Sequence, residues 1–347
     1  MIKIIIINFL LNLYYLTEFD IILKIIQLIG GTLFIKLFQS YNNLKKLKYY
    51  DVSEGSIGDV EIKKNIVTKT LKQNIYRNFN ESFDILSKII QKRNINIPFY
   101  IYDFYQINIK QLNLINEKEN SIKLIEIFKN IDRVKVIEIM DGNLISHKSK
   151  FIKGYNIDTF LKINKSQSVK MDVYRLLNLS YYLMLSCNFF HCDWHDGNFL
   201  FNFNKNNQVV LYILDLGLVG KLENKDHHNK LKVLLRTNML RPEPINMIKF
   251  LAFINLNKKA QLKNFVTECK EISVSLNKNV SKENYKKTLI KLIENASKNK
   301  LKLPIVIFYM FQAIIFLNNH DDKIYNNILD FSRKNGFYSE IEKYLNH

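Results

Sequence analysis

Polar side chains crowd one short stretch of this sequence, FFHCDWHDGNFLF (residues 189–201), which is flanked by aromatic and aliphatic residues. The runs FLFNF and VVLYIL, separated by the polar turn NKNNQ, predict a β-hairpin over residues 199–214, and LDLGLVG follows directly. Because the two strands of a hairpin return to the same end, we expect Asp215 to lie close to Asn198, five residues after Asp193. The sequence therefore predicts one concave site that contains Asp193, Asn198 and Asp215.

These three side chains suit phosphoryl transfer from ATP. One carboxylate, Asp193, would orient the attacking hydroxyl, while the amide of Asn198 and the carboxylate of Asp215 would hold Mg²⁺ against the phosphate oxygens. A D-x-x-x-x-N segment followed by a hairpin and D-x-G is the spacing of kinase catalytic and metal-binding loops.

Two other interpretations of this stretch remain open at this point. His191 and His195 stand at i and i+4 and would share one side of a helix, as zinc ligands do. The glycine and the aromatic run disfavour a helix there, and the chain has no H-E-x-x-H pattern. A polar loop without function is the second alternative.

A kinase site also requires residues from the first half of the chain. Lys69 in the β-prone run NIVTKTL could hold phosphates, and Glu117 in INEKEN could orient that lysine. The loop EGSIGDV (54–60) contains Gly55, Ser56 and Gly58, and its backbone N–H groups could cover phosphates. Each feature alone is more typical of a solvated surface, and only their order along the chain supports the kinase hypothesis.

Composition agrees with a large, mostly helical enzyme. The 347 residues are 47% hydrophobic and 24% charged, with only 10 Gly and 4 Pro, which disfavours a turn-rich all-β fold. The formal net charge of +19 favours anionic lipid, phosphate ligands or nucleic acid. A compositional bias toward Ile, Asn and Lys, with solvated helix faces, is the simpler explanation, and we expect no nucleic-acid partner.

The remaining composition bears on cellular location. Cys187, Cys192 and Cys269 are too few and scattered for a disulfide framework or a zinc site, and they fit a reducing compartment. The apolar segments near residue 5 and over 303–317 are shorter than the ~20 residues of a membrane span. We therefore predict an intracellular protein without a cleavable signal or a clear transmembrane span.

The pattern along the chain predicts an α+β, bilobal protein-kinase-like fold. Helices are expected at 80–93 and 111–130, and a strand at 133–139 that the turn pair Asp141-Gly142 closes. The predicted divisions are a helical extension (1–50, with two helices over 4–48), an N-lobe (51–142, with short strands in 56–71) and a helical C-lobe (143–347), with a hinge near 140–145.

At these motifs the sequence resembles the UbiB/ADCK family of atypical kinases, over about residues 26–337. FFHCDWHDGNFLF is similar to its F-H-A-D-x-H-P-G-N segment, LDLGLVG to L-D-F-G-x-V-G, EGSIGDV to the alanine-rich loop and IVTK to V-A-V-K. QLNLINEKEN resembles the family segment that carries a Glu and an Asn, at Glu117 and Asn120, and VIEIMDG resembles its hinge. GGTLFIKLFQ (30–39) is similar to the N-terminal signature L-G-P-x-F-I-K-x-G-Q.

The resemblance implies a function and roles for individual residues. Members bind ATP or ADP with Mg²⁺, associate with membranes and support isoprenoid-quinone or lipid metabolism. Adenine would meet the backbone of 138–140, and the alternatives are a nucleotide-binding pseudokinase or a small-molecule phosphotransferase of the aminoglycoside-phosphotransferase type. The implied roles are Asp193 as catalytic residue, Lys69 and Glu117 as ion pair, Asn198 and Asp215 as metal ligands, Gly55, Ser56, Gly58, Lys69, Glu138 and Met140 as nucleotide-binding residues, and Lys36 and Gln39 as the signature residues that reach the site.

The sequence departs from the family pattern at several positions. Phe38 replaces the signature glycine, and Gln111 and Asn113 replace the two acids of an E-x-D motif. Asp196 replaces the proline of the catalytic loop, and Trp194 stands where a second proline is common. The lost acids put the usual regulatory or metal role of that motif in doubt.

Overall fold

The computed structural model describes residues 3–7, 10–11, 26, 29–37, 57–237, 244–255, 261–269 and 282–317. Gly55, Ser56, Phe38 and Gln39 lie outside the described residues. Short helical segments occupy 3–7 and 32–37 within the predicted N-terminal extension.

A four-stranded antiparallel sheet forms the smaller lobe, in the order β1-β2-β5-β4. Its hairpin of β1 and β2 turns at Lys64 and Asn65, whose φ angles of 49° and 64° are the positive values that a two-residue hairpin requires. This confirms the predicted strands in 56–71. The strands are β1 (Gly58–Lys63), β2 (Ile66–Leu71), β4 (Ile139–Gly142) and β5 (Ser146–Lys150).

Three helices lie between β2 and β4 along the chain, namely α1 (Ile75–Lys92), α2 (Ile101–Ile109) and α3 (Leu114–Phe128). α3 packs against β4, and α1 packs against α2. A 3₁₀ turn at Lys110–Leu112 separates α2 from α3. The helices predicted at 80–93 and 111–130 are confirmed, although the sequence analysis did not predict α2. The Asn113 side chain accepts a hydrogen bond from Ile115 N at 3.0 Å, and this cap starts α3.

The predicted hinge is wrong. The run expected as one strand at 133–139 divides between β3 (Val134–Val136), which pairs with a strand of the larger lobe, and β4. The turn lies at Asn143, whose Oδ1 accepts from Ile145 N and Ser146 N, each at 2.9 Å. Because β5 returns beside β2, the chain leaves the four-stranded sheet after residue 150, and the boundary at 142/143 cuts through it.

The larger lobe is helical apart from small sheets, as predicted. Its hairpin, β7 (Phe199–Phe203) and β8 (Val209–Ile213), confirms the predicted hairpin, and β3 pairs in parallel with β8. A two-stranded ladder joins β6 (Phe190–His191) to β9 (Val219–Gly220). The helices are α4 (Ile157–Ile163), α5 (Gln167–Ser186), α6 (Lys225–Thr237), α7 (Pro244–Phe253), α8 (Lys282–Lys298) and α9 (Ile305–Leu317).

Two buried helices form the centre of the larger lobe. All side chains of α9 are buried except that of Phe316, which is half-buried, so 303–317 is the core helix that the sequence predicts. The second half of α5 is buried without interruption from Leu176 to Leu185. No helix among the described residues is long and apolar enough to cross a membrane. The protein thus has a bilobal, kinase-like α+β fold.

Candidate active site

Two pairs of short strands bring the predicted catalytic residues together. The β6–β9 ladder pairs His191 with Val219, and β7 and β8 pair Phe199 with Ile213. The loop after β6 and the segment after β8 therefore lie at the same end of these two strand pairs. Leu214 N donates to Asn198 O at 3.0 Å, which joins the two loops directly.

The loop after β6 holds its own polar groups in place. The Nδ2 group of Asn198 donates to the backbone carbonyl of Asp193 at 2.8 Å, and Asn198 is 7% exposed. Because the amide nitrogen is used there, Oδ1 of Asn198 is the atom left for a ligand. The backbone N–H of Asp193 donates to Nδ1 of His191 at 3.2 Å, which fixes the other side of Asp193.

Lys69 joins the two lobes. Its Nζ lies 2.8 Å from Glu117 Oε2 and 3.2 Å from Asp215 Oδ2, so β2, α3 and the segment after β8 meet at one ammonium group. Burial lowers the pKa of Lys69, but the two carboxylates have the larger combined effect and raise it above its ordinary value. Lys69 is therefore cationic at any physiological pH.

Asp215 is ionised and only partly enclosed. Its Oδ1 accepts from Gly217 N at 2.8 Å, and its side chain is 40% exposed. Burial acts to raise the pKa of Asp215, whereas Lys69 and the Gly217 N–H lower it, and the result is about 2. Asp215 thus presents a charged carboxylate toward solvent, next to the fixed Lys69.

Lys36 from the N-terminal segment reaches the same site. Its Nζ lies 3.5 Å from Asp193 Oδ2, and its side chain is 12% exposed. Burial acts to raise the pKa of Asp193, but Lys36 and His195 outweigh it and hold that pKa well below its usual range. Lys36 has the position over the site that the sequence analysis predicts, whereas its role toward a nucleotide stays a prediction.

The two histidines of the loop lie beside Asp193. Burial lowers the pKa of the fully buried His191 to about 4, so its ring is neutral. The Nε2 of His195 lies 3.5 Å from Asp193 Oδ1, and its Nδ1 accepts from Gly197 N at 3.1 Å. Among the described residues, no group of three or more His, Cys, Asp or Glu side chains could hold a metal ion.

The predicted nucleotide contacts outside this cluster are less well supported. Gly58 begins β1, and a Cβ atom there would lie 2.9 Å from Thr70 O, so close strand pairing alone requires this glycine. Glu138 and Met140 lie on the far side of β5 from Lys69 and are exposed. The strand that leads to the larger lobe is β5. The hinge therefore lies at its end, near Lys150, and not at Glu138 and Met140, where it was predicted.

Hydrogen-bonded amide side chains occupy the position of one of the two lost acids. The buried Gln111 donates through Nε2 to Asn108 Oδ1 at 3.0 Å. Asn108 in turn donates through Nδ2 to Tyr309 Oη at 3.0 Å. Gln111 is close to the D-x-G segment, since a Cβ atom on Gly217 would lie 3.6 Å from its Cγ. Neutral hydrogen bonds that reach α9 thus take the place of one acid, at Gln111, whereas Asn113 caps α3.

One buried residue beside the ion pair was missed by the sequence analysis. His147 on β5 is 3% exposed, and its Nε2 lies 3.3 Å from Glu117 Oε2. Its strand reads SHKSK, which looks like a solvated polar segment. Only the alternation of buried His147 and Ser149 with exposed Lys148 and Lys150 could have indicated a buried face.

Replacing Lys69 should produce a stability defect that depends on pH. In Lys69→Met, two carboxylates lose their counter-charge, so we expect a loss of about 3 kcal/mol in the free energy of unfolding at pH 7. The depressed pKa of Asp215 means that its stabilisation is complete above 3.8 and disappears as the pH falls toward about 2. The difference between wild type and variant should therefore shrink over that window, as measured by urea unfolding.

Lys148→Met is the matched control, because Lys148 is exposed on the opposite face of β5. A Lys69→Met defect that is the same at pH 7 and pH 3, or one no larger than that of the control, would contradict the assigned ion pairs.

Comparison with known proteins identifies a family for this chain. A solved structure, the complex of Rv3197 with erythromycin from Mycobacterium tuberculosis, is similar over 77% of this chain and 77% of its own, with 12% identity and a TM-score of 0.42. The gentamicin complex of APH(2")-IIa is similar over 77% of this chain and 98% of its own, with 10% identity and a TM-score of 0.29. No curated protein matches the sequence. Residues 54–241, more than half of the chain, match the ABC1 atypical kinase-like domain, and the chain therefore belongs to that family.

Proposed function

We propose that this protein is a UbiB-like atypical kinase or ATPase that uses Mg-ATP. The observation that carries the proposal is the ion pair of Lys36 with Asp193, next to the Lys69–Glu117 pair. A lysine from an N-terminal extension beside the catalytic carboxylate matches the signature GGTLFIKLFQ, which separates UbiB-like proteins from aminoglycoside-phosphotransferase-like kinases. The role of Gln39, the second signature residue, stays a prediction.

The residues present suit Mg²⁺ and a nucleotide. Asp215 supplies an ionised carboxylate and Asn198 an amide oxygen, and hard cations such as Mg²⁺ prefer oxygen ligands. When bound, Mg²⁺ neutralises charge on the phosphate oxygens. Lys69, held by Glu117, is the cation on this chain that would bind the phosphates, whether the nucleotide is ATP or ADP.

Asp193 is suited to orient a nucleophile. Its carboxylate stays ionised at physiological pH, and its backbone is fixed by His191 on one side and Asn198 on the other. A substrate hydroxyl or a water molecule would donate its hydrogen bond to this carboxylate. Lys36 must first move away from the Asp193 carboxylate or share it with the substrate. This requirement supports a restricted choice of phosphoryl acceptor.

A role at membranes in isoprenoid-quinone or lipid metabolism completes the proposal. The net charge of +19 supports peripheral contact with anionic lipid, in an intracellular compartment. The family resemblance supports lipid or quinone-pathway partners.

A nucleotide-binding pseudokinase is the second candidate. The neutral Gln111, in place of an acid, favours it. Such a protein would bind Mg-ATP and show no turnover.

Asp215→Asn should abolish the Mg²⁺-dependent thermal shift that ATP produces. The substitution removes the charged ligand and one of the two counter-charges of Lys69, so we expect a lower melting temperature without nucleotide, and the test is whether Mg²⁺ and ATP still raise it. Asp141→Asn, at an exposed carboxylate on β4, is the control and should retain the shift. An unchanged shift in Asp215→Asn would refute the metal assignment.

Turnover on vesicles tests the membrane role. We expect purified protein to hydrolyse Mg-ATP about ten-fold faster on anionic vesicles than on neutral ones, with the difference reduced at high salt because screening weakens the attraction. Equal rates on both vesicles would remove the membrane role. Binding of Mg-ATP without turnover on either vesicle would favour the pseudokinase.

Lys36→Ala should release Asp193. We expect autophosphorylation to appear, and the ratio of ATP to ADP affinity to change about five-fold, as loss of one partly buried ion pair would produce. Autophosphorylation is followed with radiolabelled ATP, and Lys148→Ala is the control. If Lys36→Ala behaves like that surface variant in both measurements, the signature lysine has no role at the site.

A further inference from the structure

The imidazole of His147 forms part of the wall behind the Lys69–Glu117 pair. His147 lies directly opposite Lys69 in the β2–β5 ladder, so the two side chains project from the same face of the sheet. Its Nε2 is 3.3 Å from Glu117 Oε2, and neither ring nitrogen has a hydrogen-bond partner among the described residues. Glu117 thus faces a second nitrogen, in addition to the Lys69 ammonium.

The neighbouring strand fixes the position of this ring. His147 also pairs with Gly142 of β4, and a Cβ atom on Gly142 would lie 2.6 Å from His147 Cβ. Ser121, on the facing side of α3, donates its hydroxyl to Ile137 O and is therefore engaged elsewhere. Its strand, β5, runs between β2 and β4, and the Glu117 carboxylate lies beside the ring.

A buried imidazole with both nitrogens unpaired is unfavourable, and an aliphatic side chain would fill the same space without that cost. A histidine at this position has a use when a ligand binds the Lys69 ammonium. Lys69 already divides its ammonium between Glu117, at 2.8 Å, and Asp215, at 3.2 Å. Phosphate oxygens would draw the ammonium further from Glu117, whose buried carboxylate would then need another donor.

We propose that His147 is a positioning residue that donates from Nε2–H to Glu117 when Lys69 engages phosphate, and so keeps α3 in place. The proposal rests on the proposed use of Mg-ATP for its role in binding. The part of the proposal in which His147 can serve as a second donor to Glu117 does not depend on any ligand.

The first experiment measures the Mg-ATP dissociation constant by calorimetry. His147→Leu should weaken binding about ten-fold, as expected for one hydrogen bond to a charged group, while His147→Gln, which keeps a donor, should stay within about three-fold of wild type. In a Glu117→Gln background, His147→Leu should cause little further change. Ser180→Ala, which removes a buried hydroxyl of α5 that has no hydrogen-bond partner in the described part of the chain, is the control for losing a buried polar group.

The second experiment needs no nucleotide. Lys69→Met leaves Glu117 with His147 as its remaining donor, so hydrogen exchange of the α3 amides should rise about ten-fold more on adding His147→Leu to Lys69→Met than on adding it to wild type. Adding His147→Gln should largely preserve protection.

The outcomes separate this proposal from the proposed function. Failure of the wild type to bind Mg-ATP would end the proposed function, yet the exchange experiment would still decide the role of His147. Equal effects of His147→Leu in both exchange backgrounds, or equal behaviour of the Leu and Gln variants, would show that the ring only fills space and would overturn the proposal.

Discussion

The buried ammonium of Lys69 is the interaction on which the site depends. It is 12% exposed and contacts one carboxylate from α3 and one from the segment after β8, so it joins the two lobes at a single point. Withdrawing such a charge from water is costly, and the surrounding acids offset the cost only while both are present. The positions of β2, α3 and the D-x-G segment are therefore coupled to one another.

A second ion pair, between Lys36 and Asp193, lies in the same cleft and has a different consequence. Each of the two acids at the candidate site, Asp193 and Asp215, is paired with a lysine. The proposed nucleotide and its metal would have to exchange these contacts for new ones, and Asp215, with 40% of its side chain exposed, is open to that exchange. Asp193 is the more enclosed of the two, because the N-terminal segment reaches over it.

The proximity of three candidate site residues could be predicted because their geometry is local. Asp193, Asn198 and Asp215 lie within one hairpin and its flanks, and a hairpin dictates which ends meet. Lys69 and Glu117 are 48 residues apart, and their contact was predicted only through the order of motifs and the family resemblance. Sequence pattern alone does not specify which helix faces a given strand.

The errors arise where strand pairing is not encoded locally. The run RVKVIEI looks like one strand, yet β3 pairs with β8 and β4 with β5, so the apolar pattern continues across two sheets. Because of that division, the hinge lies at the end of β5 and not at 140–145, where it was predicted. His147 was missed for the same reason, because only its register opposite Lys69 gives a polar residue of SHKSK a buried position.

The central claim, that Lys69 and Glu117 act as one unit, is tested most directly by a double-mutant cycle on Mg-ATP turnover. Lys69→Ala, Glu117→Ala and the double variant should show similar losses, because each single substitution already removes the shared contact. Losses that multiply in the double variant would contradict the account, since they would mean that the two side chains contribute to turnover independently.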